Sequence, residues 1–154
     1  MLARLEGSRR ALKGSKFEDI VRNELRTLFA AHKLSLSVGD KETRINDETY
    51  DVQVSNGKAT ILVPVKTRET MGGGHANLFT RDIFKSISVA QGGGYLCVPI
   101  IIAESWAEDL KSLKCEHLIY LQTNPNQTDE VQKLLAEQLT KLLPLWKKFA
   151  KGQP

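Results

Sequence analysis

Thr49-Tyr50-Asp51-Val52-Gln53-Val54-Ser55-Asn56-Gly57-Lys58-Ala59-Thr60-Ile61-Leu62-Val63-Pro64-Val65-Lys66 reads as two extended arms around a turn. The first arm alternates apolar and polar residues, Asn56-Gly57 signals a two-residue hairpin turn, and Ala59 to Lys66 is a second, more apolar run. With Asn56-Gly57 as the turn, Asp51 faces Leu62. Side chains alternate with period two, so Pro64 and Lys66 project on the same side as Leu62 and Asp51. A carboxylate and an ammonium therefore converge at one end of the hairpin. The plain alternative for such a pair is a cross-strand salt bridge. A carboxylate that binds a divalent ion, beside a lysine that orients or deprotonates a water, is also the minimum equipment for hydrolysing a phosphodiester.

The flanking sequence supplies the rest of the frame. Gly14-Ser15-Lys16-Phe17-Glu18 has capping-box spacing and predicts a helix opening at Ser15, with Phe17, Ile20, Val21, Leu25, Leu28 and Phe29 recurring at helical period. Glu18 lies beside that stripe, either as a cap or as part of a site. Leu34 to Val38 reads as a first strand, and Lys41 to Ile45 as an irregular polar approach to the hairpin. After the hairpin come Met71-Gly72-Gly73-Gly74-His75, a helical stretch from about Ala76 to Gln91, the Gly92-Gly93-Gly94 break, and a buried strand from Tyr95 to Ala103. The order helix, strand, strand, strand, helix, strand predicts an α/β domain whose central mixed sheet is flanked by helices.

These residues resemble the PD-(D/E)XK nuclease superfamily, the fold of most type II restriction endonucleases, over roughly Gly14 to Ala103. Phe17-Glu18 matches the glutamate of that family's opening helix, Asp51 the aspartate at the start of its second strand, and Lys66 the lysine that closes its third. Tyr50 stands where the name-giving proline would be, and Pro64 where the family usually has its second acid. A proline cannot ligate a metal and suits a strand edge or bulge better than a central strand. The resemblance offers Glu69 or Asp82 as a migrated second acid; otherwise Asp51 and Glu18 hold the ion with waters, or the fold persists without the chemistry. It implies a Mg²⁺-dependent endonuclease cutting duplex DNA, most like a type II restriction enzyme. Asp51, Glu18 and Asp82 would serve as metal ligands, Lys66 would activate the water, and a homodimer would cut both strands. The alternatives are a non-catalytic DNA-binding or scaffolding subunit of the same fold, and a repair or junction nuclease that reads shape.

The glycine-rich segment Thr67 to Asn77 follows the lysine-bearing strand and is dense in hydrogen-bonding side chains. Arg68, His75, Asn77 and Arg81 are the residues expected to touch phosphate or base edges, against the alternative of an ordinary surface loop. No Gly-Lys-Ser/Thr follows, so it is not a nucleotide-binding glycine motif.

Composition fits a small DNA enzyme and excludes other classes. The chain has 154 residues, 41% hydrophobic and 26% charged, which predicts one globular domain spanning residues 1–154. Net charge +4 and pI near 9.1 lean towards a polyanionic partner. No apolar run reaches membrane-spanning length and no signal-peptide core is present, so a cytoplasmic protein with reduced Cys97 and Cys115 is expected. His32, His75 and His117 have no paired spacing for zinc, and no Gly-x-Ser-x-Gly elbow exists. Met1 to Lys13 reads as a short basic helix or arm. Beyond the core, Ser105-Trp106-Ala107-Glu108 opens a short predicted helix to about Lys114, Glu116 to Gln122 a strand, and Asp129 to Ala150 an amphipathic helix broken at Pro144.

Overall fold

A computed structural model describes residues 2–68, 75–104 and 115–152, with side chains from Phe17 onward in the first segment and from Leu78 in the second. The elements are α1 (Leu2–Ala31), β1 (Ser37–Gly39), β2 (Thr43–Ile45), β3 (Glu48–Tyr50), β4 (Val52–Ser55), β5 (Thr60–Val63), β6 (Val65–Arg68), α2 (His75–Gly92), β7 (Leu96–Cys97), β8 (Ile100–Ala103), β9 (Ile119–Gln122), α3 (Thr128–Lys141) and α4 (Leu143–Ala150). This is the expected α/β order. The predicted helix after Ser105, with Trp106, lies outside the described residues, as do Glu69 and the first glycine cluster.

The strands form a four-stranded sheet, β1-β4-β5-β7, with β1, β4 and β5 antiparallel and β5 parallel to β7, a three-stranded parallel sheet, β6-β8-β9, and a separate antiparallel pair, β2-β3. The register of Ile61 with Leu96 continues unchanged into that of Val65 with Ile100, which sets Pro64 beside Pro99 between the two ladders. Each proline removes a donor and interrupts its strand, yet both carbonyls still accept, Pro64 from Ile100 N and Pro99 from Ile119 N, each at 2.9 Å. Pro64 therefore lies at the break between β5 and β6, one residue past the last β4–β5 rung and bonded only on the β8 side, the edge-like position its chemistry favours.

Alternation sends the two faces of these sheets into two cores. Val52, Val54, Ile61, Val63, Ile100, Ile102, Ile119 and Leu121 pack beneath α1, α3 and α4, where Phe17, Ile20, Val21, Leu25 and Phe29 supply the predicted stripe. Leu62, Ile101 and Ala103 face the other way and meet Ile83, Ile87 and Ala90 of α2. Trp146 is fully buried, edge-on to Phe29 and donating from Nε1 to Leu139 O at 3.1 Å. Pro144 sits in the first turn of α4, where its missing donor costs nothing, so the expected break becomes a new helix start.

Three expectations need correction. The capping-box spacing at Ser15 does not open a helix, because α1 is already helical from Leu2. The hairpin register is shifted by two residues: Ser55 pairs with Thr60 and Val52 with Val63, so Gln53, not Asp51, faces Leu62. Asn56 causes the shift, its Oδ1 accepting from Lys58 N at 2.8 Å and Ala59 N at 2.7 Å, which draws four residues into the turn. A shift of two preserves side-chain parity. Finally, the polar approach to the hairpin is not irregular. Thr43–Ile45 pairs with Glu48–Tyr50 across Asn46 and Asp47, both at positive φ (46° and 67°), the signature of a tight hairpin turn.

Candidate active site: a carboxyl pair at a strand fork

The antiparallel ladder of β4 and β5 ends at Val52 and Val63. Beyond that rung the chains part, since β3 turns aside to pair with β2 and β6 stays with β8. Asp51 occupies the vertex as a bend between β3 and β4, half-buried. Continuing the register would set it opposite Pro64, with Lys66 two residues farther along the inner strand.

α1 supplies the second acid. The Glu18 and Asp51 carboxyls lie within hydrogen-bonding reach, and Glu18 is pushed up to about 7, first by burial, then by the hydrogen bond to Asp51 and its negative charge, with Arg22 pulling the other way. Two carboxyls hydrogen-bond to each other only when one keeps its proton. Arg22, one helical turn after Glu18, clamps the arrangement by donating from Nη2 to Asp51 O at 2.6 Å and from Nη1 to Asp19 Oδ1 at 2.9 Å. Its Nε is buried without an acceptor among the described residues.

Lys66 approaches from β6. Its neighbour Val65 packs on the α1 side of the sheet, so Lys66 points to the α2 side, where its mostly buried ammonium pairs with Asp82 Oδ2 at 3.1 Å. Asp82 itself is half-exposed, at 51%. The four charged residues thus come as two pairs, Glu18 with Asp51 and Lys66 with Asp82. Among the described residues no three His, Cys, Asp or Glu side chains gather as a metal cluster, so Asp51, Glu18 and Asp82 are not brought together as one ligand set. The Glu18–Asp51 pair alone offers hard oxygen donors of the kind Mg²⁺ takes with waters completing its shell, and a divalent ion would take the place of the shared proton. In donor chemistry the pair fits such an ion.

The expected nucleic-acid contacts are dispersed around this end. Arg68 on β6 holds its guanidinium over the Phe79 ring at 5.7 Å from the centroid, a cation–π contact. Arg81 is exposed on α2. His75 and Asn77 stand in the first turn of α2, their side chains outside the described set. Glu69 lies outside it altogether.

Two residues escaped the reading of the sequence. Arg22 was signalled by its four-residue spacing from Glu18 on one helix. Glu48 had no such signal: it is buried, accepts from Ser86 Oγ at 2.9 Å and pairs with Lys85 at 3.5 Å, and with Tyr50 Oη donating to Ser86 O at 2.6 Å it fastens β3 to α2. Burial pushes the Tyr50 phenol up to about 12.

No family model and no curated protein matches the chain. Among solved structures it is similar to SfsA from Pyrococcus furiosus in complex with Ca²⁺, at 14% identity and TM-score 0.35, covering 85% of this chain and 53% of that one. The chain spans about half the length of that protein. No described helix is long and apolar enough to cross a membrane.

Proposed function

We propose that the chain is a Mg²⁺-dependent nuclease hydrolysing duplex DNA, of the type II restriction kind. One observation carries the reading: Glu18 and Asp51, two acids that ordinary packing would keep apart, are held in contact at the vertex of a strand fork. Bound there, Mg²⁺ would supply Lewis-acid polarisation of a phosphoryl oxygen and a more acidic water. Asp51 and Glu18 are the residues that would hold it. Lys66 orients the attacking water and offsets charge developing on the phosphate, and Asp82 positions Lys66. Arg22 fixes the backbone of Asp51. Glu69 remains an alternative third acid. Arg68, Arg81, His75 and Asn77 contact the DNA, whose affinity comes mainly from phosphates and agrees with a net charge of +4. Cutting both strands calls for a homodimer.

A second reading, a non-catalytic DNA-binding subunit, is favoured by Pro64, which cannot ligate a metal, standing where the resembled family has its second acid, and by the neutralisation of Lys66 by Asp82. Incubation of supercoiled plasmid with the protein and Mg²⁺ separates the two. Discrete fragments support the restriction reading, cuts confined to branched or damaged DNA move it to a shape-reading nuclease, and binding without cleavage favours the subunit. A thermal shift with Ca²⁺ tests the ion site without turnover, and no shift in the wild type would remove the metal from the proposal.

A further inference from the structure

At the opposite end of the hairpin from the fork lies an open cavity of about 680 Å³, within the range of small-molecule sites. It is enclosed by the four-residue turn of β4–β5, the chain between α2 and β7, and one face of α4. Leu145, Lys148, Phe149 and Gly152 recur at helical spacing on that face, with Tyr95 and Leu96 across from them. The lining is mainly apolar, and Leu96, 39% exposed at the rim, is one of few large hydrophobic side chains the described residues leave open to solvent. Lys148 is the one charged residue in the lining and no acid accompanies it. It makes no ion pair with the described residues, and Lys58, Lys147 and Lys151, all exposed, reinforce the positive sign nearby. Asn56, by contrast, is fully engaged, its Nδ2 donating to Phe149 O at 2.9 Å and its Oδ1 capping the turn, so it holds the wall and leaves the ammonium as the anchoring group.

We propose that this cavity binds a free monoanionic amphiphile, an aliphatic or aromatic body closed by a carboxylate or similar acid, with the body against Leu96, Leu145 and Tyr95 and the anion on Lys148. The inference is independent of the nuclease reading, since none of these residues belongs to the fork. Calorimetric titration of the full chain with decanoate, below its micellar concentration, tests it, with decyltrimethylammonium as the charge-reversed control. Single-site binding of decanoate is expected, weakened fivefold or more in Lys148→Gln and lost in Ala59→Trp, which places a ring from an exposed turn position into the space. Circular dichroism checks that both variants fold, and Lys148→Gln alone suffices if the tryptophan variant does not. Absence of decanoate binding, equal affinity for the cationic amphiphile, or unchanged affinity in Lys148→Gln overturns the proposal. So does adenosine monophosphate binding here in place of decanoate, or binding seen only with phosphatidylglycerol vesicles.

Discussion

At the turn end of the hairpin the side chain of Asn56 satisfies two backbone amides and reaches across to Phe149 O, whereas at the fork end the Glu18 carboxyl meets another carboxyl and must keep a proton to do so. The same two strands carry both ends. One spends its polar atoms closing the backbone, which is how a chain gains stability. The other brings two carboxyls together where the ladder stops, an arrangement that costs stability as one of them is forced to keep its proton.

The largest effect expected is on chemistry at the fork. Asp51→Ala and Lys66→Ala should each lower Mg²⁺-dependent plasmid cleavage by about 10²- to 10⁴-fold, the usual worth of a positioned acid or base. DNA affinity in a gel-shift series should fall only a few-fold, because other phosphate contacts supply most of it. Wild-type cleavage in either variant would reduce the fork to a structural junction and dissolve the contrast with the turn.

How much of this contrast was legible in the sequence differs between the two ends. Period-two alternation in Val52 to Val54 and the unbroken apolar run Ile100 to Ile102 disclosed a sheet buried on both faces, and the stripe from Phe17 to Phe29 disclosed the helix above it. The turn was misjudged because Asn-Gly favours a two-residue loop, while the competing capture of two amides by Asn56 Oδ1 depends on geometry that no pair preference encodes. Parity survived the error along the paired strands, but the bend at Asp51 ends the alternation: its carboxyl meets Glu18 of α1, whereas Lys66 points to the α2 side and meets Asp82, so the same-face argument does not describe how the two side chains lie. Three-residue strands such as Thr43–Ile45 are too short to show a period, although Asn46-Asp47 tolerate the positive φ the turn requires. Glu18 and Asp51 were each named from the sequence, the former by family resemblance and spacing. Their contact depends on the bend at Asp51, and the pairing of Lys66 with Asp82 depends on how α2 lies across the sheet.

The second largest effect is on stability at the turn. Asn56→Ala removes three hydrogen bonds, two within the turn and one to α4, and should cost about 1–3 kcal/mol in urea unfolding. Cleavage should be unchanged. An unfolding midpoint equal to that of the wild type would mean the turn closes through its backbone alone.

Glu18→Gln tests the stored cost at the fork. The folded carboxyl titrates near 7 and the unfolded one near 4.5, so the folded state holds the extra proton between those values. That contribution to stability is fully present below pH 4.5 and is lost as pH rises through 7. The wild type should therefore lose stability to this group between pH 5 and 8, while Glu18→Gln should flatten the slope and melt above the wild type at pH 8. Once solvent screening is allowed for, a gain of about 1 kcal/mol at pH 8 is reasonable. Ca²⁺ should stabilise the wild type more at pH 8 than at pH 6, since the ion displaces the proton, and should leave Glu18→Gln nearly unmoved. Parallel pH profiles in the two proteins would show that the carboxyls do not share a proton.

The smallest effect belongs to Asp82. Its carboxylate is half-exposed, so its 3.1 Å pairing with Lys66 should be worth under about 1 kcal/mol, and Asp82→Asn should shift the unfolding midpoint little. Function discriminates better than stability here. As a positioning residue for Lys66, Asp82 should cost less than about tenfold in cleavage when changed to Asn, and the deficit should shrink with added salt, because salt weakens the wild-type pair as well. The Ca²⁺ thermal shift should stay intact, since in the proposed site the ion would rest on Glu18 and Asp51. A loss of both cleavage and the Ca²⁺ shift in Asp82→Asn would instead make Asp82 a metal ligand, which requires Lys66 to release it when the ion binds. The two charged pairs at the fork would then merge into one site.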